Sequence, residues 1–135
     1  MIDKEKKEIK KIVRKYSLRL VLLFGSRASG KFVRQDSDFD IAYLSEDKLN
    51  LKDESKLAGE LAKIFKTSQI DITDINKSGP LLIKQIFDNH IILFSESRTL
   101  YDKYMIYSER RYAEAKPLFK LQSEFNKNFL KVHAK

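Results

Sequence analysis

At 135 residues and a formal charge of +8, the chain is long enough for one buried core and too short for two. It holds no cysteine and only two histidines, His90 and His133, which excludes a disulfide framework, a thiolate zinc site, a cysteine nucleophile and a histidine-rich metal centre. The charge is uneven: eight basic against three acidic residues in 1–20, ten against twelve in 21–97, and nine against four in 98–135. The excess therefore belongs to the terminal segments, where solvated lysine faces on two helices account for it, and direct nucleic-acid binding is not expected. No apolar stretch has the length of a membrane span or the form of a signal peptide, so no membrane contact and a cytoplasmic location are expected.

Residues 3–16 place Ile9, Ile12, Val13 and Tyr16 at helical spacing, with lysines and glutamates on the other face, which predicts an amphipathic helix lying on a sheet. Leu18 to Phe24 reads as the first strand. Its last four residues form a continuous apolar run that delivers the chain to a turn at Gly25-Ser26. A short helix from Ser26 to about Lys31 points its first free N–H groups, the positive end of its dipole and the Ser26 hydroxyl at one spot, which suits a phosphate. Phe32 to Ser37 is a polar loop whose Arg34 either reaches a triphosphate or stays in solvent. Asp38-Phe39-Asp40-Ile41-Ala42-Tyr43-Leu44 then alternates as a strand, so Asp38 and Asp40 face the same way. Two such carboxylates repel each other unless a cation sits between them, and hard oxygen ligands suit Mg²⁺, which also takes phosphate oxygens. A phosphate cradle and a Mg²⁺ dyad in one supersecondary unit point to chemistry on a nucleoside triphosphate. The plainer alternative is an Asx-type turn at Ser37-Asp38 and a loop closed by Gly25-Ser26.

Asn50 is a plausible N-cap, with Asp53 and Glu54 in the first turn and Leu57, Leu61, Ile64 and Phe65 on one stripe, giving a helix to about Lys66. Gln69 to Ile75 alternates strictly: Ile70, Ile72 and Asp74 share one face, and Asp71, Thr73 and Ile75 the other. Ser78-Gly79-Pro80 breaks the chain and starts a helix over Leu81 to Asn89, followed by a strand from His90 to Phe94. His90, at a helix-to-strand junction with no second histidine nearby in sequence, reads as structural. Ser97 caps a long helix in which Tyr101, Tyr104, Met105, Ser108, Tyr112 and Ala115 trace one side, and Pro117 is expected to kink or stop it. Beyond it, Leu118, Leu121, Phe125, Phe129 and Val132 recur at helical spacing. That stripe either packs back as core or is buried against another chain.

Gly25-Ser26, the eleven-residue gap and Asp38-Phe39-Asp40 resemble the signature of the nucleotidyltransferase superfamily that includes DNA polymerase beta and kanamycin nucleotidyltransferase. The GSRASG and DSDFDIA segments are most similar to its smallest members, the minimal nucleotidyltransferases. Among these are the MntA-type antitoxins encoded beside HEPN-domain toxins. The resemblance covers roughly residues 20–94. It implies an α/β (α+β) domain of the polymerase beta-like fold over residues 1–97, with a mixed four- to five-stranded sheet backed by helices on one face, and a C-terminal helical extension over 98–135. The carboxylates are expected on the other face, open to substrate. Gly25 and Ser26, with Arg27 and Arg34, would bind the nucleotide; Asp38 and Asp40 would hold Mg²⁺. Asp71, whose Ile-Asp-Ile setting resembles the Val-Asp-Leu of relatives, would be the third carboxylate of a two-metal site, with Asp74 as the alternative. Many minimal members carry arginine before the second glycine; this chain has Ser29 before Gly30, so Arg27 or Lys31 is left to supply that charge. The resemblance further implies ATP as donor, a tyrosine hydroxyl of a HEPN-family toxin as acceptor, and an antitoxin role. Two alternatives are an antitoxin that acts by binding alone and an enzyme acting on a small-molecule hydroxyl such as an aminoglycoside's. The first sits poorly with three retained carboxylates, and the second lacks a substrate-binding domain. Self-association through the C-terminal helices is a further expectation.

Overall fold

The computed structural model describes residues 2–25, 28 and 38–133. Helix α1 (Ile2–Tyr16) leads into strand β1 (Leu18–Phe24), and strand β2 (Phe39–Ser45) precedes helix α2 (Leu51–Phe65). Strand β3 (Ile70–Asp74) passes through a single 3₁₀ turn, Ile75–Lys77, to helix α3 (Pro80–Asp88), strand β4 (His90–Ser95) and helix α4 (Arg98–His133). The four strands form one sheet in the order β3-β2-β1-β4, with β1 antiparallel to both neighbours and β2 parallel to β3. The parallel pair is joined through α2, the crossover that such a pair requires.

Local signals account for the helix boundaries. The Asn50 side chain accepts a 2.8 Å hydrogen bond from the Asp53 backbone N–H and starts α2; Lys66 in the left-handed region, φ 54°, ends it. Pro80 occupies the first turn of α3, where its missing N–H costs nothing.

The expectation that helices cover one face only is corrected. Ile9, Val13, Tyr16, Leu57 and Leu61 of α1 and α2 pack with Val21, Leu23, Ile41 and Tyr43 on one face. Ile83, Ile86 and Phe87 of α3, with Leu100 at the start of α4, pack with Leu20, Leu22, Phe24, Ala42 and Leu44 on the other. This is why Leu20 to Phe24 of β1 is a continuous apolar run: alternate residues are buried under different pairs of helices. Ile86 is fully buried, so Ile86→Ala should lower unfolding free energy by about 2–5 kcal/mol, whereas Leu118→Ala, at a site 65% exposed, should stay within about 0.5 kcal/mol. Denaturant midpoints of the two variants check the contrast.

Pro117 does not stop α4, which runs on to His133. The carbonyl that proline leaves without a donor is that of Ala113, an exposed residue whose C=O can turn to water. The side of α4 carrying Leu100, Tyr101, Tyr104 and Met105 packs on the sheet, and Ser108 and Ala115 are buried. Every residue from 116 to 132 is exposed, so within this chain the distal stripe is not core. No helix among the described residues is long and apolar enough to cross a membrane.

Candidate active site

The site is built at the end of the sheet where β1 finishes and β2 and β3 begin. Register places Phe24 opposite Asp40, Asp40 beside Asp71, and Phe24 opposite His90, so one row runs His90, Phe24, Asp40, Asp71 across all four strands. Residues directly opposite in a sheet share a face, and here it is the face that α3 and α4 cover further along the strands. The carboxylates thus lie on a helix-covered face, at its end; the expectation of a wholly open face is corrected. Asp38, two residues before Asp40, is exposed, as is Asp71, while Asp40 is half-buried.

Asp40 is the electrostatic centre of this group. Burial, then Asp71, then Asp38 push its carboxyl above the ordinary carboxylate value. Both flanking carboxylates therefore lie close enough to act on it. Gly25 closes the row. Its φ is +78°, a region that side chains rarely adopt, and a Cβ there would stand 2.5 Å from Asp40 Oδ2. The glycine is needed both for the turn that leaves β1 and for the space that Asp40 fills. The Ala28 N–H donates to the Gly25 carbonyl at 3.1 Å. Ser26, Arg27 and Arg34, expected at the nucleotide, lie outside the described residues, as do Ser29, Gly30 and Lys31.

Asp74, the alternative third carboxylate, is committed elsewhere. It is buried, its side chain accepts a 2.9 Å hydrogen bond from the Asn76 N–H, and its carbonyl accepts one from the Ser78 hydroxyl. It shapes the 3₁₀ turn at the opposite end of β3, three residues from the row that holds Asp71. His90 behaves as a structural group: the Phe87 carbonyl can only accept, so Nδ1–H donates to it at 3.1 Å and Nε2 accepts from the Tyr101 hydroxyl at 2.7 Å. Burial lowers its pKa, which keeps the ring neutral and this pairing intact.

Three carboxylates in one corner, with the middle one raised by the other two, are a donor set for a hard divalent cation, whose charge would relieve their repulsion. Among the described residues no three acidic or histidine side chains close into a cage around one point. Such a site suits an ion that takes part of its coordination from a bound phosphate. The contact between Gly25 and Asp40 was not foreseeable from spacing, because the two are fifteen positions apart and meet only through the β1–β2 register.

Comparison with known proteins agrees with this geometry. Residues 7–99 match the family described as Polymerase beta, Nucleotidyltransferase. In an alignment of 122 positions that covers 84% of this chain and 81% of the relative, the chain is 31% identical to the protein adenylyltransferase MntA of Aphanizomenon flos-aquae (strain 2012/KM1/D3). A chain of a crystallised toxin-antitoxin with AMP-PNP superposes with a TM-score of 0.70 at 26% identity, over 85% of this chain and 95% of that one. A chain of the tri-AMPylated Shewanella oneidensis HEPN toxin in complex with MNT antitoxin shares the fold, with a TM-score of 0.67 at 23% identity over 89% and 97%. A sheet of this order, a glycine turn against paired aspartates and a family match over most of the chain lead to one assignment: this protein is a nucleotidyltransferase of the polymerase beta family, of the minimal MntA type.

Proposed function

We propose that the protein transfers AMP from ATP to a tyrosine hydroxyl of a HEPN-family toxin and so acts as its antitoxin. The observation that carries this reading is Asp40 seated against Gly25 between Asp38 and Asp71. The MntA relative, a protein adenylyltransferase, and the similar toxin-antitoxin chain crystallised with AMP-PNP support donor, acceptor class and role. Asp38 and Asp40 would hold one Mg²⁺ and Asp71 would help to hold a second; bound there, the metal neutralises triphosphate charge as the P–O bond breaks. The backbone at Gly25, with Ser26, Arg27 and Arg34, holds the β- and γ-phosphates. Asp71, exposed at the edge of the row, accepts the proton of the acceptor hydroxyl. The hydroxyl oxygen then bonds to the α-phosphorus, and the bond from that phosphorus to the bridging oxygen breaks, releasing pyrophosphate. A reaction that draws on ATP fits a cytoplasmic location.

Incubating the protein with ATP, Mg²⁺ and the HEPN-domain chain encoded beside it should add adenylyl groups to tyrosine, detected by intact mass and peptide mapping. Transfer should stop on chelation of the metal. Neutralisation of the toxin without any mass change would instead favour an antitoxin that acts by binding.

A further inference from the structure

The second half of α4 is an arm with no role in the site. At about 1.5 Å per residue the eighteen residues 116–133 extend roughly 27 Å. Leu118, Leu121, Phe125, Leu130 and Val132 on it are 62–72% exposed, and Phe129, 52% exposed, stacks on Phe125. A lone helix of this length is marginal in water, and a chain that keeps so many large apolar side chains on one has a surface to be covered.

The arrangement of these residues says what covers it. At about 100° per residue, Leu118, Leu121, Phe125, Phe129 and Val132 span roughly 80° of the circumference, and Phe119 and Leu130 widen the arc to roughly 180°. Gln122 and Asn126 are the polar residues within it, and no Lys, Arg, Asp or Glu of 116–132 falls inside. Lys116, Lys120, Lys127 and Lys131 cluster on the opposite side, where they stay in water. Two arms paired as a two-stranded coil would use only the narrow seam. From the dimensions of a helix that seam buries roughly 250 Å² per arm, about 500 Å² in total, far below the roughly 1,000 Å² that a specific interface needs. Phe119 and Leu130 would also be left in water. The full arc, seated in a groove between two helices, buries roughly 500 Å² on each side and reaches that threshold.

We infer that the distal arm of α4 is the docking element for the toxin, and that it lies in an uncharged apolar groove between two helices of that partner. The inference rests on the reading above that the partner is a HEPN-family toxin, and it adds where that toxin is held. Catalysis and capture are then on separate parts of the chain: the row at Asp40 modifies, and the arm binds.

The test is Leu121→Asp combined with Phe125→Asp in the full-length chain, with Leu121→Ala/Phe125→Ala as a milder second variant. Because both side chains are already exposed, the melting temperature should not change, and binding of a non-hydrolysable ATP analogue with Mg²⁺ should match wild type. Affinity for the HEPN-domain chain encoded beside it, measured by calorimetry, should fall about a hundredfold or more for the Asp pair and less for the Ala pair. Light scattering should show wild type alone as a monomer. Toxin bound equally by wild type and variants would overturn the docking role while leaving the proposed function standing. Toxin bound by neither would remove both. A wild-type dimer that the Asp pair separates would make the occupant a second copy, and wild type bound to vesicles of anionic phospholipid would make it a membrane; either result overturns the inference, as would a large fall in melting temperature.

Discussion

Replacing Asp40 by Asn is expected to abolish nucleotidyl transfer and at the same time make the metal-free protein more stable. The activity loss follows from removing the carboxylate that stands between Asp38 and Asp71 and touches the Gly25 backbone; transfer should fall well over about a hundredfold. The stability gain follows from the raised pKa of Asp40. Burial and its two carboxylate neighbours make the folded protein hold this proton more tightly than the unfolded chain does. The group therefore favours folding at low pH, and that contribution is lost as pH rises through the raised value. At neutral pH its ionised form weighs against the fold, and Asn removes the penalty. The advantage of Asp40→Asn over wild type should be largest near pH 7 and shrink as pH falls toward the ordinary aspartate value of 3.8. Added Mg²⁺ should narrow it by raising the wild-type melting temperature without raising that of the variant. Thermal melts at several pH values, with and without Mg²⁺, read all of this, and an Asp40→Asn protein that is less stable at pH 7 would show that the carboxylate serves the fold.

Gly25→Val is expected to remove nucleotide binding almost entirely. The residue sits at φ +78°, where a side chain costs about 1–2 kcal/mol, and its Cβ would stand 2.5 Å from Asp40 Oδ2. Either the turn or Asp40 must move, and in the function proposed above both form the place where a phosphate approaches the backbone. Ser26→Ala should be far milder, because one hydroxyl contributes about 0.5–1.5 kcal/mol net and the backbone donors remain. Calorimetric titration with a non-hydrolysable triphosphate gives the ranking; a larger loss for Ser26→Ala than for Gly25→Val would take the phosphates away from the glycine.

The strand and helix boundaries were legible because each rests on local chemistry: the Asn50 cap, Pro80 in a first turn, and alternation across β2 and β3. The same alternation led to the expectation that Asp38 and Asp40 share a face, since a strand repeats every two residues whatever it pairs with; in the structure β2 starts at Phe39, and Asp38 lies just before it. His90, read from the sequence as structural, is held in the structure by the Phe87 carbonyl and the Tyr101 hydroxyl. The resemblance of the glycine-serine turn and the aspartate pair to one superfamily carried the reading from a phosphate site to nucleotidyl transfer.

What needed the tertiary structure was everything set by pairing between distant segments. Strand alternation left Asp71 and Asp74 both open as the third carboxylate, because periodicity describes faces and not neighbours. The parallel register of β2 and β3 sets Asp71 beside Asp40, and Asp74 is buried in the turn that follows. An apolar run cannot say whether one or two helical layers cover it, so the second layer under α3 and α4 emerged only from packing. The stripe after Pro117 had the periodicity of core, and a helical period records that a face is to be buried without recording by whom. Within this chain α3 and the first half of α4 cover Leu20, Leu22, Ala42 and Leu44 on the sheet's second face, and every residue of the distal half from 116 to 132 is left exposed.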